Sequence, residues 1–323
     1  MGMLVEGHWH SDTSGLVDHD GALQRPESVF RNWITADGVP GPTGEGGFEA
    51  EPGRYHLYVA RACPWAHRAT LFRELKGLQP MIGLSVTHWL MADDGWTFAT
   101  GPGVIPDPLH DVETLWQLYV RADAAYTGRV TVPVLWDTRR ETIVSNESAD
   151  IIRMFNSAFD GLTGNDADFC PESLRGQIDA LNTRIYDTVN NGVYKAGFAT
   201  SQAAYDKAIG PLFQSLDWIE GLLAEARYLA GDRVTEADWR LFTTICRFDS
   251  VYHTHFKCNR QRIVDYPNLW GWARELYQWP GVAATVRQDH ITRHYYFSHD
   301  MINPNRIIPI GPEPDWTVPH GRG

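Results

Sequence analysis

Apolar and polar positions alternate with period two over Tyr55–Ala60, where Tyr55, Leu57 and Val59 interleave with His56, Tyr58 and Ala60. This predicts a strand. Just beyond it Trp65, Ala69, Phe72 and Leu75 recur at helical spacing, predicting a helix over Pro64–Gly77. Pro64 suits the first helical position, where its missing N–H would have no partner. Met81–Thr87 reads as a second strand, so the order is strand, helix, strand. Such a unit pairs its strands in parallel through a right-handed crossover. Thr131–Trp136, a turn at Asp137–Arg140 and Thr142–Val144 predict a hairpin. Proline inside an apolar run belongs at an edge or in a special geometry, and a cis peptide before Pro133 is expected. Ser145–Ser148 form an N-cap cluster ahead of a helix with Ile151, Ile152 and Phe155 on one face.

Around this pattern the chain organises itself. Residues 1–53 are rich in Gly, Pro and Asp and read as a wrapping arm anchored by Phe30, Trp33 and Ile34. His88–Arg129 is a long insertion with a turn at Asp93–Asp94 and one helical run, Val112–Val120; connections of this length are usually functional. Ser157–Asp168 reads as a linker. Past it the apolar spacing is helical throughout, as in Leu174, Ile178, Leu181, Ile185 and Val189, with Gly210-Pro211 expected to kink or divide a later helix. The expected architecture is therefore an α/β thioredoxin-like N-terminal domain, arm included, over residues 1–160, and an all-α C-terminal domain with an extended tail over 161–323.

A length of 323 residues suits two domains. A formal net charge of −12 argues against nucleic acid or an anionic membrane as partner. No basic n-region precedes an apolar stretch, and no run reaches the length of a membrane-spanning helix. Four cysteines in so long a chain make no disulfide framework, so a reducing cytoplasm is expected. Thirteen each of Trp, Tyr and Phe suggest a site for flat ligands as well as aromatic packing.

Cys63 carries the candidate chemistry. It stands between the strand and Pro64, at a helix N-terminus, where unpaired N–H groups and the macrodipole favour a thiolate. Residue 66 is alanine, so no C-x-x-C motif offers a resolving thiol. The second thiol must come from solution. His253, His255 and Cys258 have an H-x-H-x₂-C spacing, but a fourth ligand is lacking and packing is the better reading. No metal or cofactor is expected.

Over nearly its whole length the chain resembles the cytosolic glutathione transferases. Leu229–Asp238 looks like that family's capping box, with Thr235 as cap and Asp238 at N3, and Glu147-Ser148 looks like its γ-glutamyl-binding pair. Cys63-Pro64-Trp65-Ala66, Arg247–Cys258 and Asn303–Pro312 are similar to the Xi class, the glutathionyl-hydroquinone reductases. The resemblance implies that Cys63 is the nucleophile and that glutathione is a co-substrate. Trp96, Arg129, Val132, Glu147 and Ser148 would contact glutathione, the backbone of Val132 pairing with its cysteinyl part. Tyr194, Tyr252, Tyr295 and Tyr296 would line the pocket for the glutathionyl-hydroquinone.

An aryl thioether does not yield to simple thiol displacement. Phenol donors would favour a keto tautomer, Cys63 would take the glutathionyl sulfur, and a second glutathione would release oxidised glutathione. An omega-like thiol transferase or dehydroascorbate reductase would use the same cysteine without needing the phenols, and a non-catalytic binding module would need neither. A homodimer is also expected, from the resemblance and from the apolar stripe Trp270, Ala273, Leu276 and Tyr277.

Overall fold

The arm begins with two short antiparallel strands, β1 (Met3–Val5) and β2 (His8–His10). The computed structural model describes residues 2–11 and 15–323. They divide into two units, Met1–Thr13 with Pro26–Asp168 and Ser14–Arg25 with Phe169–Gly323. The thioredoxin-like half therefore runs to residue 168, and a short piece of the arm belongs with the helical half.

In the first unit, β3 (Tyr55–Val59) leads into α1 (Pro64–Leu75) and β4 (Ile82–Val86). The insertion holds a small hairpin, β5 (Met91–Ala92) and β6 (Gly95–Trp96), then α2 (Trp116–Ala122) and β7 (Gly128–Arg129). After it come β8 (Val134–Asp137), β9 (Thr142–Ser145), α3 (Ser148–Ser157) and α4 (Asp160–Thr163). The main sheet has the order β4-β3-β8-β9, with β3 parallel to β4 and antiparallel to β8. The Val132–Pro133 peptide is cis, as expected.

Every side chain of β3 is buried, including the polar alternates. The Tyr58 hydroxyl donates to Asp107 at 2.7 Å and His56 bonds Ser85 at 2.8 Å, while Val86 bridges Ile105. The insertion thus covers the sheet face that alternation alone would have left wet. Its helix is shorter than expected and starts later. The Asp107 carboxylate takes the N–H groups of Leu109 and His110, and the Gln117 amide takes those of Glu113 and Thr114. These side chains hold the chain in turns up to Thr114. The supposed linker contains α4, pinned by the buried Lys76, whose ammonium meets Asp160 at 2.9 Å and the Ala167 carbonyl at 2.6 Å.

The second unit is built from α5 (Arg175–Ile185), α6 (Gly192–Gly197), α7 (Gln202–Glu225), α8 (Glu236–Arg247), α9 (Pro267–Tyr277) and α10 (Gln288–Ser298). Single π-helical turns, Tyr186–Asn190 and Phe248–Tyr252, follow α5 and α8. Pro211 does not divide α7, which runs unbroken for 24 residues. Pro211 is exposed, so water can take the carbonyl its missing N–H leaves behind. At the start of the fully buried α8, Asp238 accepts from the Thr235 N–H at 2.9 Å, as the capping box requires, and also from Leu229 N–H and the Trp272 indole at 3.0 Å each. The α9 stripe is not open. Ala273 and Leu276 are core, and Trp316 of the tail packs on Trp270 at 4.7 Å and on Tyr277 at 5.2 Å between ring centroids. The chain's own tail thus covers the surface from which the dimer was partly inferred.

Candidate functional site

Cys63 is the N-cap of α1, with extended backbone and Pro64 next to it. Its own N–H donates to Ala60 at 3.0 Å and its carbonyl receives the His67 N–H at 3.0 Å, so the strand-to-helix turn is closed on both sides of the sulfur. The Cys63 thiol donates to the Val132 carbonyl at 3.7 Å, which brings together two of the expected site residues. Cys63 is partly exposed, whereas Cys170, Cys246 and Cys258 are buried. Burial pushes the Cys246 and Cys258 thiols up, against the opposing charges of Arg247 and Lys257, which leaves them inert.

Glu147 caps α3, accepting from the Ala149 N–H at 3.0 Å, with Ser148 as the first residue of the helix. Arg68, wholly buried on α1, donates to the Ser148 hydroxyl at 3.4 Å and lies over the Trp65 ring at 4.5 Å. The first unit therefore has a thiol at the N-terminus of α1 and an acidic cap at that of α3, with the buried Arg68 of α1 bonded to Ser148. Helix N-termini favour anions. The acidic cap adds an acceptor for an ammonium. A zwitterionic γ-glutamyl end has complementary groups.

Val132 is held through the residue before it. The Tyr119 hydroxyl donates to the Thr131 carbonyl at 2.9 Å, and the Asn146 amide donates to Tyr119 at 3.2 Å. Trp96, nearly buried in β6, follows Gly95, which has φ of +69° and stands 2.9 Å, measured from an ideal Cβ, from the Trp9 ring. A side chain there would be strained and would collide. Arg129 is half-buried in β7 and pairs with Met3 of the arm.

In the second unit Tyr194 of α6, Tyr252 of the π-helical turn and Tyr295 of α10 converge. Tyr252 and Tyr295 share a hydrogen bond of 3.0 Å, Tyr194 and Tyr252 one of 3.5 Å, and Tyr194 bonds Tyr295 directly. Burial, then the neighbouring Tyr194 phenol, holds Tyr252 and Tyr295 well above the ordinary phenol range, with Arg247 opposing. The Tyr252 and Tyr295 phenols therefore stay protonated at neutral pH. Phe256 stacks on Tyr252, and an ideal Cβ on Gly197 would stand 2.2 Å from the Phe256 ring, so only glycine lets α6 approach. Tyr296 stands apart: its hydroxyl donates to the Ser250 carbonyl at 3.2 Å and its ring meets His255. The structure thus gathers three of the four expected tyrosines.

His255 bonds His299 at 3.3 Å, and among the described residues no group of three or more His, Cys, Asp or Glu is set to hold a metal ion. No helix among them is long and apolar enough to cross a membrane.

Sequence reading missed Arg68, Tyr119, Asn146 and the arm residues Ser28 and Arg31. Asn146 sat within the cap cluster, which was its one visible signal. The others act through contacts far apart in sequence.

Comparison with known proteins fits these two half-sites. Family models described as the glutathione S-transferase N-terminal and C-terminal domains match residues 62–158 and 202–275. The chain is 58% identical over 323 residues to glutathionyl-hydroquinone reductase YqjG of Escherichia coli, covering all of this chain and 98% of that one. It is 47% identical over 312 residues to glutathionyl-hydroquinone reductase PcpF of Sphingobium chlorophenolicum, covering 97% and 96%. The glutathione-bound structure of YqjG superposes with a TM-score of 0.92 at 56% identity, covering 99% and 98% of the two chains. A Xi-class glutathione transferase from Natrialba magadii gives 0.92 at 49%, covering 100% and 97%.

Proposed function

The chain belongs to the glutathione S-transferase family, and from that premise we propose that it is a glutathionyl-hydroquinone reductase of the Xi class. It reduces glutathionyl-hydroquinones to hydroquinones at the expense of glutathione. The observation that carries this reading is the near-full-length identity to two reductases of that name, joined to a lone, partly exposed thiol at the start of α1.

The residues divide the work by chemistry. Glutathione's γ-glutamyl end binds at Glu147 and Ser148, its cysteinyl part pairs with the Val132 backbone, and Trp96 and Arg129 complete the half-site. Phenols donate to the hydroquinone oxygen and favour the keto tautomer, in which the carbon bearing sulfur is sp³. The Cys63 thiolate then attacks the glutathionyl sulfur. A Cys63–glutathione disulfide forms, the carbon–sulfur bond breaks, and its electron pair passes into the ring as an enolate that takes up a proton. A second glutathione thiolate attacks the disulfide, giving oxidised glutathione and restoring the Cys63 thiolate. One preorganised donor to the developing oxyanion is worth about 2.7–4 kcal/mol. The buried phenols are suited to this because they remain protonated.

The reaction uses glutathione as co-substrate and no other cofactor. Free cysteines and a net charge of −12 support work in a reducing cytoplasm without nucleic-acid or membrane partners; since Trp316 covers the α9 stripe, the homodimer rests on family likeness, and light scattering at micromolar concentration tests it. Parallel assays test the activity. Cleavage of a glutathionyl-hydroquinone with one oxidised glutathione formed per hydroquinone supports the proposal. Turnover of dehydroascorbate alone would assign the chain to the omega-like thiol transferases instead.

A further inference from the structure

The arm returns repeatedly to the half-site that the proposed function gives to glutathione. The Ser28 hydroxyl donates to Oε2 of Glu147 at 2.9 Å while Oε1 accepts the Ala149 N–H at 3.0 Å, so the carboxylate is held at both oxygens. Three residues along the same helix, both carboxylate oxygens of Asp150 accept from the Nε and Nη2 edge of Arg31, one of the two bonds measuring 3.0 Å. Burial pushes the Asp150 carboxyl up and Arg31 works against that. Between these contacts, Phe30 and Asn146 exchange hydrogen bonds, Phe30 N–H to the Asn146 side-chain oxygen at 3.2 Å and Asn146 N–H to the Phe30 carbonyl at 3.2 Å. The Asn146 amide passes the connection on to Tyr119 and so to Thr131, the neighbour of Val132.

We propose that Ser28 is a positioning residue for glutathione, orienting the Glu147 carboxylate so that the γ-glutamyl ammonium meets a preset acceptor. The inference rests on the reading of Glu147 as a γ-glutamyl contact. A glutamate side chain otherwise samples several rotamers, and ordering it on binding weakens affinity. The Ser28 bond orders it beforehand. Among the described residues the Ser28 hydroxyl bonds Glu147 and, at 3.4 Å, meets the Asn146 carbonyl, so its effect on the ligand passes through the carboxylate.

The test is calorimetric titration of glutathione into the full chain carrying Cys63→Ala, which blocks disulfide formation, with and without Ser28→Ala, Ser28→Thr or Glu147→Ala. Ser28→Ala should weaken binding about threefold to tenfold, the size of one hydrogen bond. Ser28→Thr, which keeps the hydroxyl, should recover most of it. In the enzyme with Cys63 intact, Ser28→Ala should raise KM for glutathione by a similar factor with a smaller change in kcat. Parent-like binding by Ser28→Ala, with Glu147→Ala weakened, would overturn this inference alone. So would kcat and KM worsening together without rescue by Ser28→Thr. A Cys63→Ala protein that binds no glutathione would overturn the assignment of the half-site and this inference with it.

Discussion

The Cys63 thiol faces the carbonyl oxygen of Val132 at 3.7 Å, so the proposed nucleophile and the residue assigned to the cysteinyl part of glutathione share a hydrogen bond. That bond favours the protonated thiol, but S–H is a weak donor. Against it stands the dipole of α1, worth up to about 2 kcal/mol in partly buried geometries.

Cys63 should consequently titrate below the ordinary thiol value of about 8.5. Because the thiolate is the reactive form, alkylation by iodoacetamide should rise with pH through that lowered midpoint and already be substantial at neutral pH. Cys63→Ser should lose reductase turnover by on the order of a thousandfold or more. An alkylation midpoint at or above 8.5 would remove the electrostatic part of the account.

Tyr252→Phe and Tyr295→Phe should each depress thioether cleavage by about a hundredfold while sparing reduction of a small mixed disulfide, which needs no oxyanion donor. Tyr296→Phe should have a far smaller effect, since its hydroxyl is committed to Ser250. Both essential phenols are held well above 10 by burial, so reductase activity should show no loss from phenol ionisation as pH rises to about 9. Equal loss on both substrates would mean damage to the fold rather than to a donor.

Burial lowers His255 to about 4, reinforced by Lys257 and His294, and burial likewise lowers His56 to about 4. Each unfolded histidine titrates near 6.5, so below that pH the unfolded chain binds more protons than the folded one. The stability these groups contribute is present above 6.5 and is lost as pH falls toward 4, by about 2–3 kcal/mol each. Urea unfolding midpoints between pH 7 and 4 should show the fall, and His255→Gln should flatten it. A slope unchanged in that variant would assign the acid sensitivity elsewhere.

What the sequence made legible was local. The strand, Cys63, Pro64 and α1 could be read because period-two alternation and a proline at N1 are short-range signals, and the Thr235–Asp238 box joins residues only three apart. The unread features depend on distant chain. Ser28 meets Glu147 across 119 residues and Trp9 lies on Gly95 across 86, with no motif at either end to announce the meeting. The gathering of Tyr194, Tyr252 and Tyr295 was expected from family resemblance, but the π-helical turn that presents Tyr252 leaves no signature in spacing. The α9 stripe misled for a related reason: its partner, Trp316, is supplied by an irregular tail whose path follows no periodic rule. Pro211 misled because a helix breaker on a wet face can be tolerated, and exposure is not written in the residue itself.

The central claim is that Cys63 itself takes the glutathionyl group from carbon. Intact-protein mass spectrometry after one equivalent of a glutathionyl-hydroquinone, with no free thiol present, tests it most directly. The account predicts release of the hydroquinone and a mass gain of one glutathionyl group, mapped to Cys63 by peptide digestion and removed on adding glutathione. Hydroquinone release without any adduct, or an adduct on Cys170, Cys246 or Cys258, would contradict it.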